Sequence, residues 1–298
     1  MPARTSQPAP LGTRTSQPAP PGISVDAPRI TIAVAAHKPY RMPTDPVYLP
    51  LHVGRALHPE LADQMAGFTG DDTGDSISSR NDRYSELTGL WWIAKNVDAE
   101  YKGLVHYRRH FRTADFARAH AGDRMERIAT TADFQRLITG GADVIVARAR
   151  DYRIETVQSH WDHTMPPAQL AFAREVVGDL SPDVTDALDA VLASRRVHLF
   201  NMMVMRTDIL DAYCDWLFPL LGELERRLDA SGETASYDAF SMRYPGRISE
   251  RLLDAWLASR GILPTEMSTT SPEPVDWPRK AGGFLAAKFL GRRYERSF

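Results

Sequence analysis

The sequence has a single cysteine, no surplus of basic residues and no long apolar run. Cys214 alone cannot form an internal disulfide or a cysteine-rich zinc site, and it agrees with a reducing compartment. The formal net charge of −2 gives no electrostatic basis for general nucleic-acid binding. Because there is no run of about 18 apolar residues and no apolar core of a secretion signal, we expect neither a membrane span nor export. These absences predict a cytoplasmic protein.

The two ends of the chain differ in composition from its middle. The segment RTSQPAP occurs twice, at 4–10 and 14–20, in a background of Pro, Ala, Ser and Thr that cannot bury a core. We therefore expect a disordered tail over 1–28, a globular domain over 29–265 and a C-terminal extension over 266–298. The 43% hydrophobic and 25% charged residues are ordinary for a globular protein.

Buried-strand patterns alternate with helical patterns along the central part of the chain. Short apolar runs indicate strands covered on both faces, and apolar residues at helical spacing indicate helices packed on them. The predicted strands are 29–36, 101–106, 142–147 and 199–205. The predicted helices are 85–97, 132–139, one from Pro167, one from Pro182 capped by Ser181, one capped by Thr207 and kinked at Pro219, and 249–260. This alternation predicts an α/β fold with one mostly parallel central sheet flanked by helices.

A basic and aromatic cluster lies at the carboxyl end of the predicted strand 101–106. His106, Tyr107, Arg108 and Arg109 follow one another there. Two guanidiniums at such a strand end can hold a diphosphate through paired, charge-assisted hydrogen bonds. A solvated basic turn with an aromatic anchor explains the same residues equally well.

A polar loop containing glycines runs from Gly70 to Asn81. Its candidate binding residues are Asp72, Asp75, Ser76 and Asn81, whose side chains can bond ribose or sugar hydroxyls. The loop lacks the Walker pattern, and its carboxylates lack the spacing and closing glutamate of a calcium loop. An ordinary polar turn is the alternative.

Two later motifs contain candidate catalytic bases. Asp162 and His163 lie beside Trp161, whose ring could stack on a sugar, and His160 with His163 has the spacing of one pair of metal ligands. A helix entry with a core tryptophan is the alternative. Glu250 lies at the start of the last predicted helix and could accept a proton from a hydroxyl. A first-turn carboxylate favoured by the helix dipole explains it as well.

Four blocks of the sequence resemble, in order and spacing, a known family. They read GDDTGDSISSRNDRYSELTGLWWIAKN, YKGLVHYRRHF, FNMMVMRTDILDAYCDWLFPLL and ISERLLDAWL. The family comprises bacterial capsule and exopolysaccharide glycosyltransferases catalogued as domain of unknown function 4422, and the resemblance covers residues 30–262. It implies a GT-A-like (Rossmann-like) domain that transfers a hexose from a UDP-sugar to a polysaccharide or lipid-linked glycan. Several relatives are linked to galactofuranose, commonly with inversion.

The resemblance also implies which residues surround the donor. His37 and Lys38 should face the nucleotide, the loop 70–81 should close the donor site, and residues 106–109 should lie beside the diphosphate. Asn201 matches the third block and Glu250 the fourth. The sequence differs from many relatives in having serine before Ile77, where asparagine is common.

The sequence contains no Asp-x-Asp motif, which usually holds a divalent ion on the donor diphosphate in metal-dependent transferases of this architecture. Arg108 and Arg109 occupy the expected place. We therefore expect fixed cations to neutralise the leaving group, with no metal and no cofactor besides the UDP-sugar substrate.

Two alternatives concern partners. Residues 278–298 combine apolar and basic side chains, which predicts peripheral contact with the inner face of the plasma membrane, or else a helix packed on the domain. A non-catalytic sugar-binding or scaffold module of a polysaccharide assembly complex would explain the missing Asp-x-Asp. A transferase that uses UDP-galactopyranose or UDP-glucose would share the same diphosphate features.

Overall fold

The computed structural model describes residues 27–273. Most of the predicted tail 1–28, and the whole of the predicted membrane-binding segment 278–298, lie outside these residues.

A seven-stranded sheet forms the centre of the fold. Its strand order is β10-β6-β9-β4-β1-β2-β3, and within it only β9 runs antiparallel to its neighbours. Two small pairs, β5 with β11 and β7 with β8, lie outside this sheet. The strands are β1 Ile30–Ala36, β2 Tyr48–His52, β3 Thr69–Gly70, β4 Tyr101–His106, β5 His110–Phe111, β6 Val144–Ala147, β7 Arg150–Asp151, β8 Arg196–Val197, β9 Met203–Arg206, β10 Thr265–Met267 and β11 Thr269–Thr270. The predicted mostly parallel α/β fold is confirmed.

Helices flank the sheet. They are α1 Asn81–Tyr84, α2 Leu87–Asn96, α3 Phe116–Ala119, α4 Thr131–Thr139, α5 Val157–Thr164, α6 Pro167–Leu180, α7 Pro182–Ala193, α8 Thr207–Ser231 and α9 Tyr244–Ser259. In residues 27–273 no helix is both long and apolar enough to cross a membrane.

Alternation along the central strands fills a core on each face of the sheet. In β1, Ala33 and Ala35 face the core formed with α2 and α5–α9, whereas Ile32 and Val34 face the second core with α4. Because both faces are covered, the strands read as apolar runs in the sequence. At the carboxyl ends of β1 and β4 the chain continues into the polar residues His37 and His106.

Several predicted boundaries were wrong for identifiable reasons. The strand predicted over 199–205 begins only at Met203, because Phe200 and Asn201 adopt left-handed backbone with φ of 81° and 48°. The strand β2 was not predicted because its region is rich in proline; Pro50 is tolerated since β3 pairs only with Leu51 and His52.

Of the two predicted helix caps, Thr207 is wrong because Arg206 is the N-cap residue of α8, whereas Ser181 is the N-cap residue of α7 as predicted but makes no side-chain capping bond. The Thr207 hydroxyl donates to the Ala99 carbonyl at 2.5 Å, and the Ser181 hydroxyl accepts from the Trp216 indole at 2.7 Å. Both hydroxyls thus join one element to another instead of capping their own helix.

The C-terminal strands extend the fold past the predicted domain end. Thr265 pairs with Ile145 in the central sheet, and Thr269 pairs with Phe111 in the small pair. The predicted boundary at residue 265 therefore falls within β10.

Candidate active site at the carboxyl edge of the sheet

The carboxyl ends of β1 and β4 meet at one edge of the sheet, because the two strands are parallel and Ala35 is in register with His106. The ring of His37 meets the ring of Tyr107 edge-on, with centroids 5.2 Å apart. Lys38 lies 5.1 Å above the ring of Tyr40, which itself packs on Tyr107. The structure thus brings together the predicted residues that follow the two strands.

Cations dominate this edge. Partial burial and the neighbouring charges of Lys38, Arg108 and Arg243 lower the pKa of His37. His37 is therefore neutral at pH 7, and the positive charge comes from the lysine and the arginines. An anion would be attracted to this position.

The guanidiniums of Arg108 and Arg109 lie on different aromatic rings. Residues 106–109 form a tight turn in which the Arg109 N–H donates to the His106 carbonyl at 2.9 Å. The exposed Arg108 guanidinium lies 5.2 Å from the centre of the Tyr107 ring, whereas that of Arg109 lies 3.5 Å above Phe200. Burial lowers the pKa of Arg109 to about 10, so it stays charged at neutral pH. One arginine faces outward and the other lines the interior.

The backbone of Phe200 joins Glu250 of α9 to His106 at the end of β4. Its N–H donates to Glu250 Oε1 at 2.6 Å, and its carbonyl oxygen lies 2.7 Å from His106 Nε2. Because burial lowers the pKa of His106, the ring is neutral and Nε2 carries the proton that it donates. The left-handed backbone at Phe200 makes this arrangement possible, since it turns both backbone groups toward these side chains.

Glu250 lies well inside α9, not at its start. The helix begins at Tyr244, so the alternative of a first-turn carboxylate is wrong. Arg251 Nη1 donates to Glu250 Oε2 at 2.5 Å. Burial raises the pKa of Glu250, although the Arg251 cation opposes the shift. A carboxylate can accept up to four hydrogen bonds, and these two contacts leave lone pairs for a further donor.

Asn201 is almost fully buried, with 1% of its surface exposed. Its Nδ2 donates to Glu86 Oε1 at 2.6 Å and to the Gly246 carbonyl at 2.8 Å, while its Oδ1 accepts from the Ser249 hydroxyl at 2.8 Å. Its side chain is therefore fully used in joining β9, α2 and α9. It lies beside the site residues without facing solvent.

Three charged residues of this site were not predicted from the sequence. Glu86 precedes α2, and its Oε1 lies 3.9 Å from His106 Nε2. Arg247 and Arg251 lie on α9 with Glu250, and burial lowers the pKa of Arg247 to about 10. The sequence did indicate them, because Glu250 and Arg251 follow Arg247 by three and four positions and interrupt an otherwise buried face of α9.

The side chains of the loop 70–81 are bonded mostly within the loop and to α2. Asp75 accepts from the Trp91 indole at 2.9 Å, Ser76 donates to the Asp71 carbonyl at 2.5 Å, and Asn81 donates to the Ser85 carbonyl at 2.6 Å. Asp72 lies 3.7 Å from Arg55. Among the predicted loop residues in the described part of the chain, Asp72 differs in that this long ion pair is the one contact of its carboxylate.

Asp71, which was not a candidate, organises this loop. It is fully buried and accepts from the backbone N–H groups of Gly54 at 2.9 Å and Arg55 at 3.2 Å, and from the Ser78 hydroxyl. Asp71 therefore ties the loop to the backbone of Gly54 and Arg55 after β2.

Asp162 and His163 lie on the exposed side of α5. Asp162 accepts from Gln158 at 2.9 Å, and His163 contacts Glu155, which also bonds His160. Trp161, between His160 and Asp162 in the sequence, is buried and lies 5.0 Å from the Arg251 guanidinium. Through residues 27–273, no three His, Cys, Asp or Glu side chains converge as a metal-binding group.

The chain matches a family profile over most of the folded region. The profile described as "Domain of unknown function (DUF4422)" covers residues 31–261. The chain belongs to the DUF4422 family. All the candidate residues from His37 to Glu250 lie within the matched range, so the site is part of the DUF4422 domain itself.

A solved apo structure of the bifunctional glycosyltransferase WbbM is similar to this DUF4422 chain. The TM-score is 0.70 at 26% sequence identity, over 81% of this chain and 45% of that one. The chain therefore spans less than half of the WbbM chain. No curated protein matches the sequence.

Proposed function

We propose that this protein is a GT-A-like glycosyltransferase that moves a hexose from a UDP-sugar to a polysaccharide or lipid-linked glycan. The first donor to test is UDP-galactofuranose. The structural similarity to WbbM supports the reaction class. We assign the chemistry to the edge of the sheet where β1 and β4 end.

One observation carries the proposal: Phe200 contacts a carboxylate through its backbone and a guanidinium through its ring. Its N–H holds Glu250, and its ring supports Arg109. A sugar transfer needs a base for the acceptor hydroxyl and positive charge for the departing diphosphate. Glu250 and Arg109 have the chemistry of these two groups.

Glu250 suits the role of base because burial and its partners act in opposite directions. Desolvation raises the pKa of its carboxyl group, and the contacts with Arg251 and the Phe200 N–H favour the ionised form. A carboxylate with a raised pKa is a stronger base than an exposed one. Direct attack by the activated hydroxyl on the anomeric carbon inverts its configuration.

Arg109 and the exposed Arg108 would stabilise the charge that develops on UDP, with Lys38 nearby at the end of β1. Fixed guanidiniums can replace a divalent ion in this role. The proposed reaction is therefore independent of added metal.

The test measures UDP release from UDP-galactofuranose, UDP-galactopyranose and UDP-glucose with a galactose-containing acceptor, with and without EDTA. The variants are Arg108→Ala and Arg109→Ala, with Arg226→Ala as a matched control on the exposed side of α8. We expect turnover by wild type and by the control in EDTA, and a loss of about 100-fold or more in Arg109→Ala.

The alternatives give different results in the same assay. Strong inhibition by EDTA would rule out the metal-independent mechanism. UDP-sugar binding without turnover across all acceptors would indicate the non-catalytic scaffold. Turnover of UDP-glucose or UDP-galactopyranose alone would change the donor and keep the mechanism.

A further inference from the structure

A cavity opens at the same edge of the sheet as the candidate active site. It has a volume of about 410 Å³, which is within the usual range of ligand pockets. Its lining includes Arg112, Phe116, His120, Arg136, Arg148 and Glu266. Arg148 follows β6, which points the same way as β4 because both are antiparallel to β9 between them.

The cavity carries positive charge that its own acidic residues do not neutralise. Asp133 already accepts from Thr130 at 2.9 Å and from Arg136 at 3.3 Å, and Glu266 is bonded by His198 at 3.2 Å. Over residues 27–273, the Arg148 guanidinium has no hydrogen-bond or ion-pair partner.

Arg112 adds a second cation to this surplus. Its Nη2 donates to the Ala119 carbonyl at 2.5 Å, but its buried Nε–H has no acceptor within the described part of the chain. Arg112 and Arg148 thus leave the cavity attractive to an anion.

An exposed aromatic surface borders the cationic wall. Phe116 is 79% exposed, and its ring packs against that of His120 with centroids 4.4 Å apart. Single exposed apolar side chains are common on protein surfaces, but this ring lies at the border of a cationic cavity. An aromatic face beside planar charged groups suits a sugar ring, whose C–H face is apolar and whose edge is polar.

The cavity lies close to the transfer site. Arg112 is three residues from Arg109, and Arg150, two residues after Arg148, is among the cations that lower the pKa of Arg109. A chain of sugars could therefore occupy both places at once.

We propose that this cavity binds an anionic unit of the acceptor glycan, a uronate or a phosphorylated sugar, through Arg148 and Arg112, with the sugar ring on Phe116. The proposal rests on the proposed function, because it names the acceptor class of the same enzyme. The negative group is held by the arginines, and the adjoining sugar presents its hydroxyl toward Glu250.

Calorimetric titration of the full-length protein tests this without turnover. The probes are digalacturonate, a galactose 6-phosphate disaccharide and neutral galactobiose, and UDP serves as a separate probe of the donor site. The variants are Arg148→Gln and Phe116→Ala, with Arg226→Gln as control. Melting temperatures verify that each variant folds.

We expect one or both anionic disaccharides to bind at least about tenfold more tightly than galactobiose, and Arg148→Gln to abolish that preference. Phe116→Ala should weaken all three disaccharides. UDP binding should not change. Whichever anionic probe binds identifies uronate or phosphate as the ligand.

Equal affinity for anionic and neutral probes, or an unchanged preference in Arg148→Gln, would overturn the proposal, as would no binding of any disaccharide. UDP binding would still stand in those cases, so the proposed function would fail only in the turnover assay.

Discussion

Substitutions at the buried Asn201 can separate what its backbone conformation and its side-chain contacts each contribute to the stability of the fold. Its φ of 48° is left-handed, a region that asparagine and glycine tolerate and alanine does not. Asn201→Ala loses the side-chain contacts and strains the backbone. Asn201→Gly loses the same contacts without the strain, so the difference between the two variants measures the strain less the extra unfolded-chain entropy of glycine.

The structure sets the size of each term. Removing the amide leaves the Glu86 oxygen without its 2.6 Å donor, whereas the Gly246 carbonyl keeps the Ser249 hydroxyl at 2.7 Å. One unsatisfied charged acceptor costs about 1–3 kcal/mol, and left-handed backbone costs an L-residue about 1–2 kcal/mol. With about 0.5–1 kcal/mol for the chain entropy of glycine, we expect a loss of about 2.5–3 kcal/mol in Asn201→Gly and about 3–4 kcal/mol in Asn201→Ala.

Urea denaturation at pH 7, followed by tryptophan fluorescence and circular dichroism, gives the free energies of unfolding. A loss of 3 kcal/mol corresponds to a fall in Tm of about 6–12 °C for a domain of this size. Equal stability of the alanine and glycine variants would refute the backbone argument. A loss below about 0.5 kcal/mol in both would show that the amide contacts do not stabilise the site.

Three further predictions concern other groups. Glu250→Gln should lower kcat by about 10²–10⁴ with UDP affinity kept, measured by UDP release and calorimetry; full turnover would exclude Glu250 as base. His198 lies 2.5 Å from Asp254, and despite burial its carboxylate partners raise its pKa. The stability that the protonated ring contributes is therefore full below about pH 6.5 and is lost as pH rises through the folded pKa. The free energy of unfolding of His198→Gln should differ from that of wild type more at pH 6 than at pH 8.5. Asp71→Asn should lower the free energy of unfolding in urea by about 1–3 kcal/mol, because three donors converge on the Asp71 carboxylate. Asp72→Asn should lower it by under about 1 kcal/mol. Equal losses in the two variants would contradict the role of Asp71 in organising the loop.

The site residues that directly follow β1 and β4 were predictable from the sequence. The strand 101–106 was predicted with its observed bounds, because a parallel strand buried on both faces is a continuous apolar run. Since parallel strands end at one edge, His37 and His106 had to lie near each other.

The turn at Phe200 and Asn201 could not be predicted in this way. FNMMVM reads as one extended apolar run, and no glycine marks the left-handed residues. The turn is fixed by tertiary contacts, from Glu250 at a separation of 50 residues and from Glu86 at 115. The same long-range contacts decide that Glu250 is buried, which its position in a short helical motif did not indicate.

The charge balance of the site bears on the question of a metal. The arginines at 109, 247 and 251 face the carboxylates of Glu86 and Glu250, which leaves one net positive charge before the outward Arg108 and Lys38 are counted. With Arg108 and Lys38 counted, the positive charge exceeds the two negative charges of a UDP-sugar diphosphate. A diphosphate that already carries a divalent cation brings no net charge, so it would gain little from the arginines and leave their repulsion unrelieved. If the proposed UDP-sugar is the donor, its binding should weaken with rising salt and with added magnesium, measured by calorimetry; tighter binding in magnesium would contradict the metal-independent proposal.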